Sequence, residues 1–486
     1  MALKQKTGSS HLGRFSILLA STALFIALLV SCSLFENDIA VVWTDSPEIQ
    51  LAAELFNASQ TQYLVELHYR DNLGTSLAQA KTPPSLVIGK NLRQPATMAR
   101  FQTLDFLFDR LAFSRNDFYP ALLEAGKAKG KTRLLPVSFN TLMLVNKKGA
   151  LDSLRDTVAS ETGNTASLAA MPNSTITIEE IRTIAQKFNK DSGKGFTAMG
   201  FVPRKTGGDF LFQWVQWMGA DFSSPAKPAK DSLPVQWDQN KLPVAIAALQ
   251  DFSTAVNGSA EKENAFTFTY ASALDYQNCL AGRTLFAALK SSEFFTLPSQ
   301  TRNQFEFHYV EIENKLAVYE DVLYAGIPNG ARAKTAASQF LAWFFTADTQ
   351  RLLLEKARSL RLNESEFGIA GGFSAYTPVT AKVIPEYYPE LRGRVPKAER
   401  IPAPAAMPLV WKPLKEKVLI PWLDQSAGMT FSDSANEALN KALRDYLNVN
   451  PELSAAKRSR TAWNSARVEQ CTACSRKAAP RGRPRV

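Results

Sequence analysis

Aromatic and short polar side chains recur where the apolar runs of this chain end. Trp43-Thr44-Asp45 closes a β-branched run that starts at Ile39. Lys90 and Asn91 follow the run Ser85–Ile88, Asp209 and Trp214 open an aromatic stretch, and Glu293 and Phe294 come after the run Thr284–Ala288. Clefts in α/β sheets lie beyond the carboxyl ends of strands, so groups placed there can converge on one ligand. An aromatic plane covers the CH face of a sugar ring, while Asp, Asn and Lys bond its hydroxyl rim. The set points to capture of a carbohydrate or related polyol. Each residue has a plainer role open to it as well. Trp214 and Trp217 are three apart on an expected helix, so at least one belongs to a core, and Lys90 equally suits a solvated loop.

Catalysis is not indicated, and no catalytic residue is assigned. HExxH, GxSxG and P-loop motifs are absent, and only three histidines occur, one of them near the N-terminus. Asn189–Gly193 resembles the start of a calcium loop. It lacks the glycine at the sixth position and carries Gly200 where the bidentate Glu belongs. Cys471 and Cys474 have zinc-like spacing without a second ligand pair, so a local disulfide or free thiols is the expectation. Cys279 is expected to be a small buried residue. Neither a metal nor a cofactor is implied.

The elements that must hold such a site alternate. Strands are expected at Ile39–Trp43, Tyr63–Tyr69 and Ser85–Ile88, with a helix from Glu48 to about Ser59 that places Ile49, Ala52, Ala53 and Phe56 on one face. This order argues for an α/β lobe with a largely parallel sheet. Thr177 with Glu180 reads as a capping box that starts a helix running to about Asn189. Further helices are expected at Asp209–Met218, Leu242–Val256, within Phe266–Gly282, at Ala333–Lys356 and at Ser434–Leu447, with strands at Thr284–Ala288 and Glu320–Ile327. Residues 151–175, 223–236 and the proline-rich 384–410 read as loops.

The net charge of +11 is concentrated at the ends, where residues 1–32 and 455–486 are basic and the body between them is neutral. A nucleic-acid-binding face on the body is therefore not indicated. The leader has Lys4, Lys6 and Arg14, then the apolar run Phe15–Val30, then Ser31-Cys32. Sixteen residues are short for a bilayer span, at ~1.5 Å per residue against ~30 Å. The zones fit a secretory signal. Leu29-Val30-Ser31-Cys32 resembles the lipobox of bacterial lipoproteins, which implies cleavage before Cys32 and attachment of acyl chains such as palmitate to it. An ordinary cleaved signal and a transmembrane anchor are the alternatives.

Over residues 39–450 the order of segments resembles the extracellular solute-binding proteins of ABC importers, of the sugar-binding type in the maltose-binding-protein superfamily. Leu134–Lys147 resembles the family's entry into its second lobe, Ile178–Ala185 the helix that follows, and Tyr276–Ala287 its helix, glycine and apolar strand. Ala325–Gly330 followed by Ala337–Phe345 resembles the return crossing and its helix. The resemblance implies an α/β, two-lobe periplasmic-binding-protein-like fold with a ligand cleft between discontinuous lobes. Its expected parts are a signal peptide 1–31, a lipid-anchored tether 32–38, a first lobe of 39–145 plus about 283–330, a second lobe of about 146–282 plus 331–450, and a basic, disordered tail 451–486. It adds Phe139 and Asn140, near the first crossing, and Trp411, where the family places a sugar-stacking aromatic, to the ligand-binding set. It implies a monomer at the outer face of the bacterial cytoplasmic membrane, whose partners are a sugar-like small molecule, the permease and the membrane through its anchor. The competing reading is a surface lipoprotein, an adhesin or sensor, on the same fold.

Overall fold

The computed structural model describes residues 39–110, 113–154, 175–204, 208–226, 232–428 and 434–453. The leader, Cys32, the tail with its two cysteines, and most of the stretch 151–175 lie outside the described residues. No helix among the described residues is long and apolar enough to cross a membrane.

Two sheets organise the chain. The first apolar runs form strands Ile39–Thr44, Leu64–Tyr69 and Leu86–Gly89, and the 39–44 strand pairs parallel with the other two. Parallel neighbours need crossovers, which the helices Gln50–Ser59 and Leu73–Gln79 supply. Strands Leu323–Gly326, Leu135–Phe139 and Phe373–Ser374 extend the sheet antiparallel to six strands. Ala52, Ala53 and Phe56 are buried as their spacing requires, and the Phe56 ring meets Phe340 and Trp343 at 5.3 Å between centroids.

The second sheet has five strands: Ala287–Lys290, Leu142–Lys147, Phe305–Ile312 and Lys315–Leu316 in order, with Thr175–Thr177 parallel to 305–312. It is buried on both faces. Leu142, Leu144 and Val310 enter one core, and Met143, Val145, Phe307 and Tyr309 enter the other. A strand covered on both sides reads as an unbroken apolar run, as Leu142–Val145 does. Helices Ile178–Phe188, Gly208–Val215, Lys241–Asn257 and Ala435–Val449 build the second core. Thr177 caps the first of these: its Oγ1 accepts from Glu180 N–H at 3.3 Å, and its own N–H donates to Glu180 Oε2 at 2.7 Å.

Three features differ from expectation. Residues 283–330 were expected with the first lobe, but strands 287–290 and 305–312 pair with 142–147 in the second sheet. Conversely, much of 331–400 joins the first core, where Phe340 packs on Phe56 and Phe344 on Phe340. The expected single helix 333–356 is two, Lys334–Phe344 and Ala347–Ser359. Thr346 separates them, because its extended backbone lets Oγ1 accept from Thr349 N–H at 3.1 Å and cap the second.

Among the described residues the chain passes between the sheets three times. Asn140 and Thr141 lead from the first to the second, 317–322 leads back, and a third passage runs from Ile401 in one core to Met407 in the other. The first two run antiparallel, with Tyr319 N–H donating to Asn140 O at 2.9 Å and Leu142 N–H to Ala317 O at 2.8 Å. First-lobe side chains grip the third. Gln94 Nε2 donates to Met407 O at 2.7 Å, Arg93 to Ala405 O at 2.9 Å, and Asn72 Nδ2 to Leu409 O at 3.2 Å.

Candidate ligand-binding cleft

Two adjoining hollows of about 240 and 220 Å³ lie along the crossings and share Lys90, Lys290 and Asp321. Lys90 comes from the end of the 86–89 strand, Lys290 from the end of the 287–290 strand, and Asp321 from the return crossing. Lys290 Nζ lies 2.6 Å from Asp321 Oδ2 and Lys90 Nζ lies 3.6 Å from the same oxygen. Burial pushes the Asp321 carboxyl up, but Lys290 and Lys90 outweigh it and hold the pKa at about 2. Asp321 Oδ1 has no hydrogen-bond partner among the described residues. Burial likewise pushes Lys290 down, and Asp321 more than reverses that.

The Lys90 turn is fastened from below. Asp45 accepts the Lys90 N–H on both carboxylate oxygens, at 3.2 and 3.3 Å. Gly89 precedes it because a Cβ there would strike the Leu73 side chain and lie 2.6 Å from Asp45 Oδ1. Asn91 then takes a left-handed φ of 56°, which short polar residues tolerate. Burial is the largest influence on Asp45 and raises its pKa from 3.8 to about 6.

One hollow has a wall of hydroxyls from Ser46, Ser138, Ser292 and Thr296, with the Asn140 amide among them. Asn140 is itself braced: Oδ1 accepts from Ser291 Oγ at 2.7 Å and Ser292 N–H at 3.1 Å, and Nδ2 donates to Gly371 O at 2.9 Å. The other hollow is organised by Glu320. Its carboxylate accepts Trp411 Nε1–H at 2.8 Å, Lys415 Nζ at 2.6 Å and Gln213 Nε2 at 3.2 Å. Lys415 also reaches Asp209 Oδ1 at 2.5 Å. Trp411 and Lys415 stand one turn apart, which lets them share one acceptor. Burial lowers the Lys415 pKa, and Glu320 and Asp209 raise it further than burial lowers it.

The structure thus brings Lys90, Asn91, Asn140, Asp209, Glu293 and Trp411 to the hollows. Glu293 is engaged by accepting Lys290 N–H at 2.8 Å, and Trp411 is only 3% exposed. Asp45 stands behind the wall as the anchor of Lys90. Four expected residues are elsewhere. Trp43 is half-buried on the outer side of the first sheet, with the Arg70 guanidinium 5.3 Å from its ring, beside a separate shallow hollow. Phe139 packs on Tyr119 at 4.8 Å and Phe373 at 5.7 Å, Phe294 on Phe295 at 5.0 Å and Phe307 at 5.5 Å, and Trp214 between Phe210 and Phe252. A large apolar ring gains most by leaving water, and core sites were available to all three.

Lys290, Glu320, Asp321 and Lys415 were not found from the sequence. Two signals pointed to them. Glu320-Asp321 interrupts the apolar run Leu316–Ile327, and buried acids persist only when paired. Trp411 and Lys415 have the spacing of one helix face. With ammonium, carboxylate, amide and hydroxyl groups close together, the cleft can donate to and accept from a ring of hydroxyls; its aromatic surface is mostly spent on the core.

No family model matches the chain, and no curated relative matches it. Solved structures do. The sugar-binding protein MalE from Xanthomonas citri aligns at a TM-score of 0.55 with 11% identity, over 85% of this chain and 99% of that one. The cyclic alpha-maltosyl-1,6-maltose binding protein from Arthrobacter globiformis aligns at 0.52 with 16% identity, over 84% and 99%. An ABC transporter solute binding protein from Agrobacterium vitis S4, solved with bound D-mannitol, aligns at 0.50 with 16% identity, over 85% and 99%. At these identities the likeness is one of fold, and the chain has the two-lobe α/β fold of the sugar-binding solute-binding proteins of ABC transporters.

Proposed function

We propose that this chain is the exported, lipid-anchored receptor of an ATP-driven importer, which captures a sugar or related polyol in the cleft and delivers it to a permease. The observation that carries the reading is the polar hollow at the crossings, in a fold shared with proteins that bind sugars and polyols. Lys90, Lys290 and Asp321 supply donors and acceptors for ligand hydroxyls, and the hydroxyl wall supplies more. The segments 140–141 and 317–322 are the places where a backbone change would let the lobes close on the ligand. Acylation at Cys32 would hold the receptor at the outer face of the membrane, close to its permease.

Thermal unfolding of the purified chain against a panel of sugars and polyols tests the binding. A ligand at a hundred times its Kd adds ~2.7 kcal/mol of stability, enough to read as a shift. Small-angle scattering should show contraction with the same ligand. No shift from any member of a broad panel would refute sugar capture. The surface-lipoprotein alternative draws on one feature, the mutual pairing by which Glu320, Trp411 and Lys415 satisfy one another. It predicts no small-molecule shift at all.

A further inference from the structure

The cleft hollow of about 240 Å³ is charged unevenly along its length. Its lining carries two cations, Lys90 and Lys290, and four anions, Asp321, Glu48, Glu293 and Glu366. Both lysines are engaged by Asp321, at 3.6 and 2.6 Å. These three residues also line the neighbouring hollow, so they mark the end that continues toward Trp411 and Lys415. Glu48 and Glu366 lie at the opposite end, where they also line a first-lobe hollow beyond the cleft. None of Glu48, Glu293 and Glu366 makes an ion pair among the described residues. The two arginines of the hollow beyond do not serve them. Arg302 is taken by Glu390 at 2.6 Å and by Phe295 O at 2.9 Å, and Arg358 is exposed and forms no ion pair among the described residues.

The chain places these acids locally. Pro47–Ile49 is one turn of 3-10 helix after strand 39–44, which sets Glu48 beyond the strand's carboxyl end, and Ser46 Oγ donates to Glu48 Oε2. Glu366 follows the turn Leu362–Glu364, in a loop that the cleft wall draws in. Ser138 Oγ donates to Ala370 O at 3.0 Å and Asn140 Nδ2 to Gly371 O at 2.9 Å. Gly371 has a left-handed φ of 76°, and a Cβ there would come within 3.2 Å of Glu48 Oε1, so glycine lets the loop approach that carboxylate. Burial raises the pKa of Glu366, the Glu48 charge raises it further, and no cation opposes them. Burial and then Glu48 raise Tyr69 in the same way. Asp321 and Glu320, by contrast, each have an ammonium at 2.6 Å. The half-buried acids Glu48 and Glu366 therefore lack the counter-charge that the rest of the cleft has. Among the described residues no group of three carboxylates, histidines or cysteines could hold a metal ion. The acids stand too far apart for one bare ion, whereas an organic ammonium brings three N–H donors on a frame of its own.

We propose that the cleft selects a ligand that carries a protonated amine beside its hydroxyls, an amino sugar or amino polyol, with the ammonium at the Glu48–Glu366 end and the hydroxyls toward Lys90 and Asp321. The inference rests on the sugar-capture reading above for the hydroxyl end only. The ammonium supplies the charge that this end lacks, and its hydrogen bonds to carboxylate are of the strong, charge-assisted kind. A neutral sugar in the same pose leaves both acids without a cation, so discrimination comes from Glu48 and Glu366 rather than from the hydroxyl wall.

Calorimetry on the full chain near neutral pH and at low salt compares glucose, galactose, mannose and sorbitol with glucosamine, galactosamine, mannosamine and glucamine, and each amine with its N-acetyl form. The amine of a matched pair should bind about tenfold more tightly than the hydroxyl compound, which is ~1.4 kcal/mol, and N-acetylation should abolish the gain. Added salt should reduce it. Glu48→Gln and Glu366→Gln should each cut the preference for amine over hydroxyl to about threefold or less, and Glu366→Asp should retain more of it than Glu366→Gln. The readout is a ratio within one protein, so loss of folded material does not imitate it. Equal binding of a sugar and its amine, or an amine gain that survives both glutamine substitutions, overturns the proposal and leaves sugar capture standing. Binding of ethanolamine with no sugar or amino sugar bound keeps the ammonium site and removes the sugar-capture reading. No binding by any of these compounds overturns both.

Discussion

Replacing Asp45 by Asn tests how the cleft holds its Lys90 turn. Asp45 is mostly buried, and its carboxylate accepts one N–H on both oxygens. Burial nonetheless dominates and lifts its pKa from 3.8 to about 6. A folded-state value above the unfolded one means that the folded protein binds this proton more tightly. The group therefore costs no stability below about pH 3.8, an increasing amount as pH rises through about 6, and its full amount above. About two pH units at ~1.4 kcal/mol each gives roughly 3 kcal/mol. Asn keeps an oxygen for the Lys90 N–H and has no charge to bury. Asp45→Asn is expected to match the parent protein near pH 4 and to exceed it by up to about 3 kcal/mol near pH 7.5. Urea unfolding followed by tryptophan fluorescence at a series of pH values reads the difference, in which the other carboxylates cancel. A gap between the two proteins that does not change with pH would refute the reasoning. A gap of the opposite sign would show that Lys90 stabilises the ionised carboxylate more than burial opposes it.

Three further outcomes are expected. Glu320→Ala removes the acceptor of both Trp411 and Lys415 and should cost about 3–5 kcal/mol in denaturant unfolding, whereas the paired change Glu320→Leu with Lys415→Met should recover most of it. Trp43→Ala should leave the affinity of any cleft ligand unchanged in calorimetry, because the ring lines a separate surface hollow beside Arg70. Ser434→Ala removes a cap whose Oγ accepts from Glu437 N–H at 3.3 Å, and should lower stability by ~1 kcal/mol in thermal unfolding.

Local signals carried much of this fold. The strand 39–44, the helix after it and the Thr177–Glu180 box lie where residue spacing puts them, because each depends on neighbours within a few positions. Strand partnership does not. Alternation shows which faces are apolar, and the strands 287–290 and 305–312 are apolar enough to suit either sheet. Only pairing with Leu142–Lys147, over 140 residues earlier, assigns them to the second. The same distance hid half of the cleft. Lys415, Asp209 and Glu320 come from three remote segments, and Lys415 and Glu320 are tolerable in the interior only because they are paired. The aromatic residues misled in the opposite direction, since Phe139, Trp214 and Phe294 are as valuable to a core as to a sugar face.

Two charged pairs of the cleft differ in a way that bears on its use. Lys415 and Glu320 have side chains 10% and 6% exposed, and their contact is 2.6 Å. Separating them would leave a buried charge unpaired, so this pair sets the shape of the second-lobe side. Lys90 and Asp321 are 43% and 28% exposed, and their contact is 3.6 Å. Of the two cations on Asp321, Lys90 is the more distant and the more exposed. A ligand hydroxyl that enters between them can donate to Asp321 and accept from Lys90, replacing the longer ionic contact by two hydrogen bonds to charged groups. Lys290 lies on Asp321 at 2.6 Å and helps keep the carboxylate ionised as an acceptor. Lys90 belongs to the first lobe, and Asp321 to the crossing that leads from the second. The longer and more exposed contact therefore lies where the two lobes meet, and in the proposed receptor a ligand hydroxyl there would bond to both parts.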